Sequence, residues 1–399
     1  MYERLVHLST WIPSFEHASR ELNYFTCADV PKSSLRRLSE AAGAAHVQVQ
    51  ADQVERLERE LPEPPQGPAV QQLSVDGAMV PLVGGEWAEV KTLAIGELRG
   101  QGLGEQVRAE ELSYYSRLAD AESFSQEALL ETHRRGTEKA GVVVAVNDGA
   151  VWEQGFVDVH RPDSVRVLDY YHAAGYLSLA AQAAFGPGTS ECVDWVERQR
   201  HELRHGDSEQ VLRALRELQE RVEGEAKAVV RASLEYLHKR REQIRYAEYE
   251  LLGLPIGSGA VESANKLLVE ERLKGSGMHW ARHNVNPMLA LRSIAFNDRW
   301  EEAWPQIVTQ LRAQRVQSTR ASRAARRAVL EVVTQSPEPV EPAAVAAEVT
   351  EPAVAEPVAA VVAEPRSHPQ AKVSSKPAPN HPWRRFRFGR NCRPRTAVP

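Results

Sequence analysis

The chain has 399 residues, enough for two or three compact units with a core in each. An apolar share of 42% and a charged share of 26% exclude disorder throughout, and a net charge of −5 argues against a surface that binds a polyanion everywhere. Charge is nevertheless segregated: acids concentrate in Glu55–Glu63, Glu217–Glu225 and Glu338–Glu364, whereas Arg312–Arg327 and Arg366–Arg395 are almost purely basic, so local patches can face DNA. Cys27, Cys192 and Cys392 lie far apart without CxxC spacing, which reads as a reducing compartment. The start MYERLVHLSTWIP lacks the basic region and apolar run of a signal peptide, and no stretch is apolar enough to span a membrane, so the expected location is the cytoplasm.

In chain order, residues 1–65 read as a helical segment, with a helix SFEHASRELNYFT, a break at Cys27–Asp29, and a helix PKSSLRRLSEAAG. Pro31 suits a first helical position and Gly43 a helix end. The pair resembles a helix-turn-helix whose second helix would carry Arg36 and Arg37 into the major groove; helix packing without DNA is the alternative. The chain is expected to begin inside this unit. Residues 44–61 continue as a charged helix, closed by the Pro62–Pro68 linker.

Residues 66–171 are strand-rich. LSVDGAMVPL, EWAEVKTLAIGEL and SYYSRLADAE alternate as three antiparallel strands, followed by a helix over Ser123–Ala140. The run GVVVAVNDGA is a buried strand ending at Asp148, and after a crossover SVRVLDYYHAAGYL is a strand ending at Asp169 with a helix from about His172. The order βββαβαβ predicts an α/β fold with a mixed sheet flanked by helices. Residues 172–253 read as an all-helical insertion. Residues 254–327 return with LPIGSG, the helix AVESANKLLVEERLK, the loop GSGMHW and a final helix near Pro287–Gln314. Residues 328–399 are a Pro/Ala/Glu/Val spacer and a basic tail, predicted to be disordered.

Three carboxylates stand out: Asp76 mid-strand in VDG, Asp148 at a strand end in NDG, and Glu262 in the first turn after GSG. An ionised head gains nothing from an apolar sheet, and three such groups on adjacent elements can hold two divalent cations about 4 Å apart. Aspartate before glycine also makes turns, which is the competing reading at Asp76 and Asp148. Asn265, Lys266, Arg272 and Lys274 follow Glu262 and would meet phosphates, or form a solvated charged face. In KGSGMHW, Trp280 or His279 would stack on an unpaired base, with core packing as the alternative for Trp280. Asp158 and Asp163 are rivals for the second aspartate, but their surroundings in FVDVHRPD read as a loop. One motif points elsewhere: His201–His205 spells HELRH, the HExxH of zinc peptidases, yet its helix is polar on every side and no third ligand stands out, with Glu235 and Asp207 left open as candidates. GSG at Gly257–Gly259 is not a P-loop, because Lys266 lies too far along.

The runs VDGAMVPL, EWAEVKTLAIGEL, SYYSRLADAESF, ALLETHRRG, NDGAVWEQGFVDVHRPDSVRVLDYYHAAGYL, PIGSGAVESANKLLVEERLKGSGMHWARHNVNPMLALR and FNDRW resemble the ISKra family of insertion-sequence DDE transposases, from about Tyr2 to Trp300, with HPWRRF in the tail similar as well. The resemblance implies an RNase H-like catalytic domain interrupted by a helical insertion, with Asp76, Asp148 and Glu262 as its catalytic, metal-binding carboxylates. It also likens Asp169 and His172 to an auxiliary DxxH signature. It implies two Mg2+ or Mn2+ ions per site, cleavage and strand transfer at terminal inverted repeats and target DNA, and a homodimer or larger assembly in a bacterial, nucleoid-associated setting. The competing expectation is a catalytically inactive or truncated DNA-binding derivative; the zinc metalloprotease reading is remote.

Overall fold

The computed structural model describes residues 1–99 and 107–334, with side chains as far as 326. The chain divides after Arg323, and the unit Met1–Arg323 holds everything that follows. Beyond it the last helix continues to Thr334; the rest of the expected spacer and tail, with Cys392, lies outside the described residues.

Three helices come first: α1 (Tyr2–Trp11), α2 (Phe15–Thr26) and α3 (Lys32–Glu60). The Ser14 side chain caps α2 by accepting the His17 amide, and Cys27 in the left-handed region ends it. The second expected helix is not short. Gly43 does not end it but lies inside the 29-residue α3, where a Cβ would come 2.2 Å from the Pro287 carbonyl oxygen. Glycine stands there because another backbone crosses against it, which corrects the reading of a cap and of two short helices. Leu35, Ala42, Ala45 and Val54 bury the inner face of α3, and Arg36 and Arg37 remain exposed on the outer one.

Five strands form one mixed sheet: β1 (Val70–Pro81), β2 (Trp87–Arg99), β3 (Arg108–Arg117), β4 (Val142–Asn147) and β5 (Val165–Leu168), in the order β3-β2-β1-β4-β5. The first three are antiparallel, and β4 and β5 run parallel to β1, the arrangement of an RNase H-like sheet. Between them, α4 (Ala121–Arg134) is shorter than expected, because Gly136 turns the chain at φ 61 before a single 3-10 turn, and α5 (Val151–His160) makes the crossover.

Period-two alternation then sorts the side chains. Leu73, Val75, Val143 and Ala145 meet Phe124 of α4 and Phe156 of α5 on one face. On the other, Ala78 and Val80 meet Val261 and Leu268, while Val144, Val146 and Val167 meet the helical insertion. Each large aliphatic side chain so buried contributes roughly 1.5–3 kcal/mol. Asp76, with the parity of Ala78, lies on this second face.

The insertion comprises α6 (Tyr170–Phe185), α7 (Ser190–His205), α8 (Ser208–Arg221), α9 (Gly224–Lys239) and α10 (Tyr246–Leu251), matching the helical span read from sequence. Then α11 (Gly259–Ala264) runs through a π-helical stretch (Asn265–Glu270) into α12 (Glu271–Leu273). The last expected helix is two, α13 (Arg282–Phe296) and α14 (Trp300–Thr334). They part because the Asn297 side chain leaves the helix to bond both the amide and the carbonyl of Tyr114 on β3, and Asp298 turns the chain at φ 54. Among the described residues no helix is long and apolar enough to cross a membrane.

Candidate functional site

The register that pairs Leu73 with Ala145 and Asn147 with Leu168, carried one step past the strand ends, sets Asp76 of β1 level with Asp148 and Asp169, the residues just after β4 and β5. At that level β4 parts from β1, and the Asn147 side chain fills the ladder: its Oδ1 accepts the Val75 amide at 2.7 Å. The ends of β4 and β5 are where a carboxylate can leave the apolar sheet without losing its neighbours, and Asp76 lies mid-strand on β1 beyond its pairing with β4, so one tier presents three acids.

The glutamate arrives through the turn that precedes α11. Asp169 caps α6 by accepting the His172 amide at 2.7 Å, and its other oxygen accepts both the Ser258 amide, 2.8 Å, and the Ser258 hydroxyl, 3.0 Å. Tyr170 also donates its amide to the Ile256 carbonyl. Both carboxylate oxygens of Asp169 are thus spent, one on capping α6 and the other on clipping the GSG turn to the end of β5, so Asp169 positions rather than reacts. From that turn, Glu262 projects at an exposed position, held by the Ser258 hydroxyl at 3.2 Å. One turn later Asn265 is buried and donates to Asp76 Oδ2 at 2.8 Å, while the Gly77 amide donates to Asp76 Oδ1 at 2.7 Å. The π-helical stretch starts at Asn265, and such stretches insert an extra residue per turn that re-aims side chains.

Charge accumulates here. Burial first, then the charge of Asp148, pushes the Asp76 carboxyl up to about 6. Burial first, then Asp169 and Glu262, pushes Asp148 up to about 6. A fifth carboxyl, Glu153 of α5, escaped the sequence reading. It is 2% exposed, accepts the Ala150 amide at 2.9 Å, and is pushed up to about 8 by burial first and then by Asp148. Its only sequence signal is its place at the third position of the helix that follows NDG, where a glutamate reaches back to the first amides.

The insertion reaches the same tier. His172 Nδ1 lies 3.4 Å from Asp148 Oδ2, and its Nε2 lies 3.2 Å from the Tyr236 hydroxyl. That hydroxyl donates to the Asp148 carbonyl at 2.5 Å, and Arg240 Nη2 donates to the Gly149 carbonyl at 2.5 Å. Burial is the first cause that lowers His172.

Other expected residues are distributed differently. Arg36, Arg37 and Lys266 are exposed, and Lys274 is half-buried and paired with Glu270 at 2.7 Å. Arg272 and Trp280 are interior, at 1% and 8% exposure, with the guanidinium against both the Phe15 and the Trp280 ring, so neither is presented to DNA; the core alternative holds for Trp280. Burial first, then Arg292, lowers Arg272 to about 9. An alternating polar pattern conceals this, because the π-helical stretch rotates Arg272 inward. Asn265 likewise faces Asp76 rather than solvent. Of the rivals, Asp158 lies on α5 beside Arg166 rather than in a loop, and Asp163 holds Arg161 at 2.7 Å. His201 and His205 share one end of α7, but Glu202 is spent on the Asp207 amide at 2.9 Å and His205 faces Glu250.

Among the described residues no three His, Cys, Asp or Glu side chains are gathered closely enough to cage an ion as they stand. Each acid is turned to its own partner: Asp76 to Gly77 and Asn265, Glu262 to Ser258. The donor set nonetheless fits a hard divalent cation, being all oxygen, mutually repelling, and accompanied by a buried Asn265 Oδ1 that has no hydrogen-bond partner. No match to the chain is found among curated proteins. Residues 1–304 match the profile described as Uncharacterised protein family (UPF0236), a span that includes the sheet, the insertion and every residue of the acidic tier, and the chain belongs to that family.

Proposed function

We propose that this chain is the transposase of a bacterial insertion element, cutting and joining DNA at an acidic site on an RNase H-like sheet. The carrying observation is the tier itself: two aspartates with raised pKa, one on β1 and one just past the end of β4, faced by a glutamate from a helix clipped to Asp169 at the end of β5. Carboxylates that burial and one another hold partly protonated are unfavourable unless a cation neutralises them.

Asp76, Asp148 and Glu262 would hold two Mg2+ or Mn2+ ions, which when bound activate the attacking oxygen and neutralise the leaving one. Loading asks little of the backbone. Glu262 is exposed and need only exchange its Ser258 contact for the ion. Asn265 restrains Asp76, Asp169 holds the glutamate helix in place, and His172 lies against Asp148. These residues keep the acids in line with a phosphodiester, so catalysis comes from positioning and charge, without a covalent enzyme intermediate.

DNA would be gripped through exposed cations, Arg36 and Arg37 on α3 and Lys266 beside the site. Terminal inverted repeats and target DNA are the proposed substrates. Because two ends must be brought together, a homodimer or larger assembly in the cytoplasm, on the nucleoid, is the working form.

The test is nicking of a supercoiled plasmid that carries the gene with its flanking DNA, in Mg2+ or Mn2+. The full chain is expected to nick, and Asp76→Asn and Glu262→Gln to bind equally and not nick. A wild-type chain that binds but never cuts in either metal is a DNA-binding derivative, and the enzyme reading fails.

A further inference from the structure

The helical insertion closes on the acidic site with two side chains that its sequence does not advertise. Tyr236 and Arg240 lie on and just after α9, one helical turn apart, and converge on consecutive carbonyls of the NDG turn. The Tyr236 hydroxyl donates to the Asp148 carbonyl and Arg240 Nη2 to the Gly149 carbonyl, each at 2.5 Å. The arginine lies over the tyrosine ring at 3.7 Å from its centroid and returns Nη1 to the Tyr236 carbonyl at 3.2 Å. The far face of the Tyr236 ring stacks on Tyr176 of α6, with centroids 4.0 Å apart and planes at 15°. The same hydroxyl contacts His172 Nε2, whose other nitrogen faces Asp148 Oδ2.

Gly149 completes the fit. Its φ of 79° is left-handed, and a Cβ there would stand 2.5 Å from Arg240 Nε and 3.0 Å from the Tyr236 hydroxyl. The turn is therefore shaped to admit the two side chains against its backbone, beyond what a strand end needs. From the opposite side, Glu153 accepts the amide of Ala150. The turn that carries Asp148 is held at both its carbonyls and its first following amide.

We infer that Tyr236 and Arg240 are positioning residues for Asp148: the insertion fixes the backbone that carries the second acid before any ion binds. The inference rests on the proposed metal-dependent site. Groups that orient a metal ligand are worth roughly 10–100-fold in metal affinity or activity when removed. Tyr236→Phe removes one hydroxyl and keeps the stacked ring; Arg240→Met removes the donors and keeps the stem.

The test uses the full chain and three readouts: Mn2+ affinity in the absence of DNA, plasmid nicking against Mn2+ concentration, and thermal unfolding without metal. The expected result is a Mn2+ affinity roughly tenfold weaker or more in each variant. Nicking should recover toward wild type at saturating Mn2+, with Tm held within a few degrees. Mn2+ affinity equal to wild type in both variants, whether or not Tm falls, reduces the pair to packing and overturns the inference. If wild type binds Mn2+ and nicks while the variants match it, this inference alone fails. If wild type does neither, the proposed function fails and takes it along.

Discussion

Asn147 replaces a strand: its side-chain carbonyl accepts the Val75 amide at the level where β4 stops pairing with β1. A ladder that simply ended there would leave a buried donor unpaired beside Asp76 and let the two strand ends drift. The residues that follow on each side are Asp76 and Asp148, so this bond ties together the two segments that carry the acids. Asn147→Leu, close in volume but without the acceptor, is expected to cost about 1–3 kcal/mol for the orphaned amide. Denaturant unfolding checks the stability, and a nicking assay at matched folded concentration should show a loss of tenfold or more.

Glu153 gives the protein a pH dependence of known sign. Its folded carboxyl titrates at about 8, against 4.5 when free. Between those values the folded state binds more protons than the unfolded one, so this group's contribution favours folding at low pH and is lost as pH rises through about 8. Glu153→Gln removes the titration and keeps an acceptor for Ala150. Thermal unfolding from pH 5 to 9 should show the variant gaining on wild type as pH rises, with little difference near pH 5; parallel curves contradict the assignment.

Gly43 tests the helix crossing. An alanine Cβ would meet backbone rather than a flexible side-chain end, 2.2 Å from the Pro287 oxygen and 2.5 Å from its carbon, so α3 and α13 must separate. Gly43→Ala is expected to destabilise by about 1–3 kcal/mol despite its better helix propensity. A gain in Tm, the result for an exposed helical glycine, contradicts the packing.

The HELRH motif should be silent. His201→Ala removes a histidine whose partner glutamate is already committed to Asp207. Purified protein is expected to carry no stoichiometric zinc, and the variant to nick DNA as wild type does; zinc at one equivalent, lost in the variant, revives a peptidase reading.

Much of the frame was legible because it is local. Apolar alternation predicted the βββαβαβ order and three- and four-residue apolar spacing the helical insertion, whereas Asp76 and Asp148 were singled out from turn-forming aspartates only by the family resemblance. What escaped is what long-range contact decides. The bonds from Asn147 to Val75, Tyr236 to Asp148 and Arg240 to Gly149 join residues 72, 88 and 91 apart, and no spacing rule reaches that far. Gly43 looked like a cap because local sequence shows a glycine after a helix but not the helix that crosses it. Arg272 looked like part of a charged helix face because a π-helical stretch shifts the phase that periodicity assumes, and Trp280 lies in a loop, where no periodicity decides between a base and the core.

Equilibrium Mn2+ binding to the full chain without DNA bears most directly on the acidic tier. Wild type should take up about two ions per chain, and Asp76→Asn, Asp148→Asn and Glu262→Gln should each weaken uptake at least tenfold. A wild-type chain that binds no Mn2+ at millimolar concentration, or variants that bind as wild type does, would contradict the account.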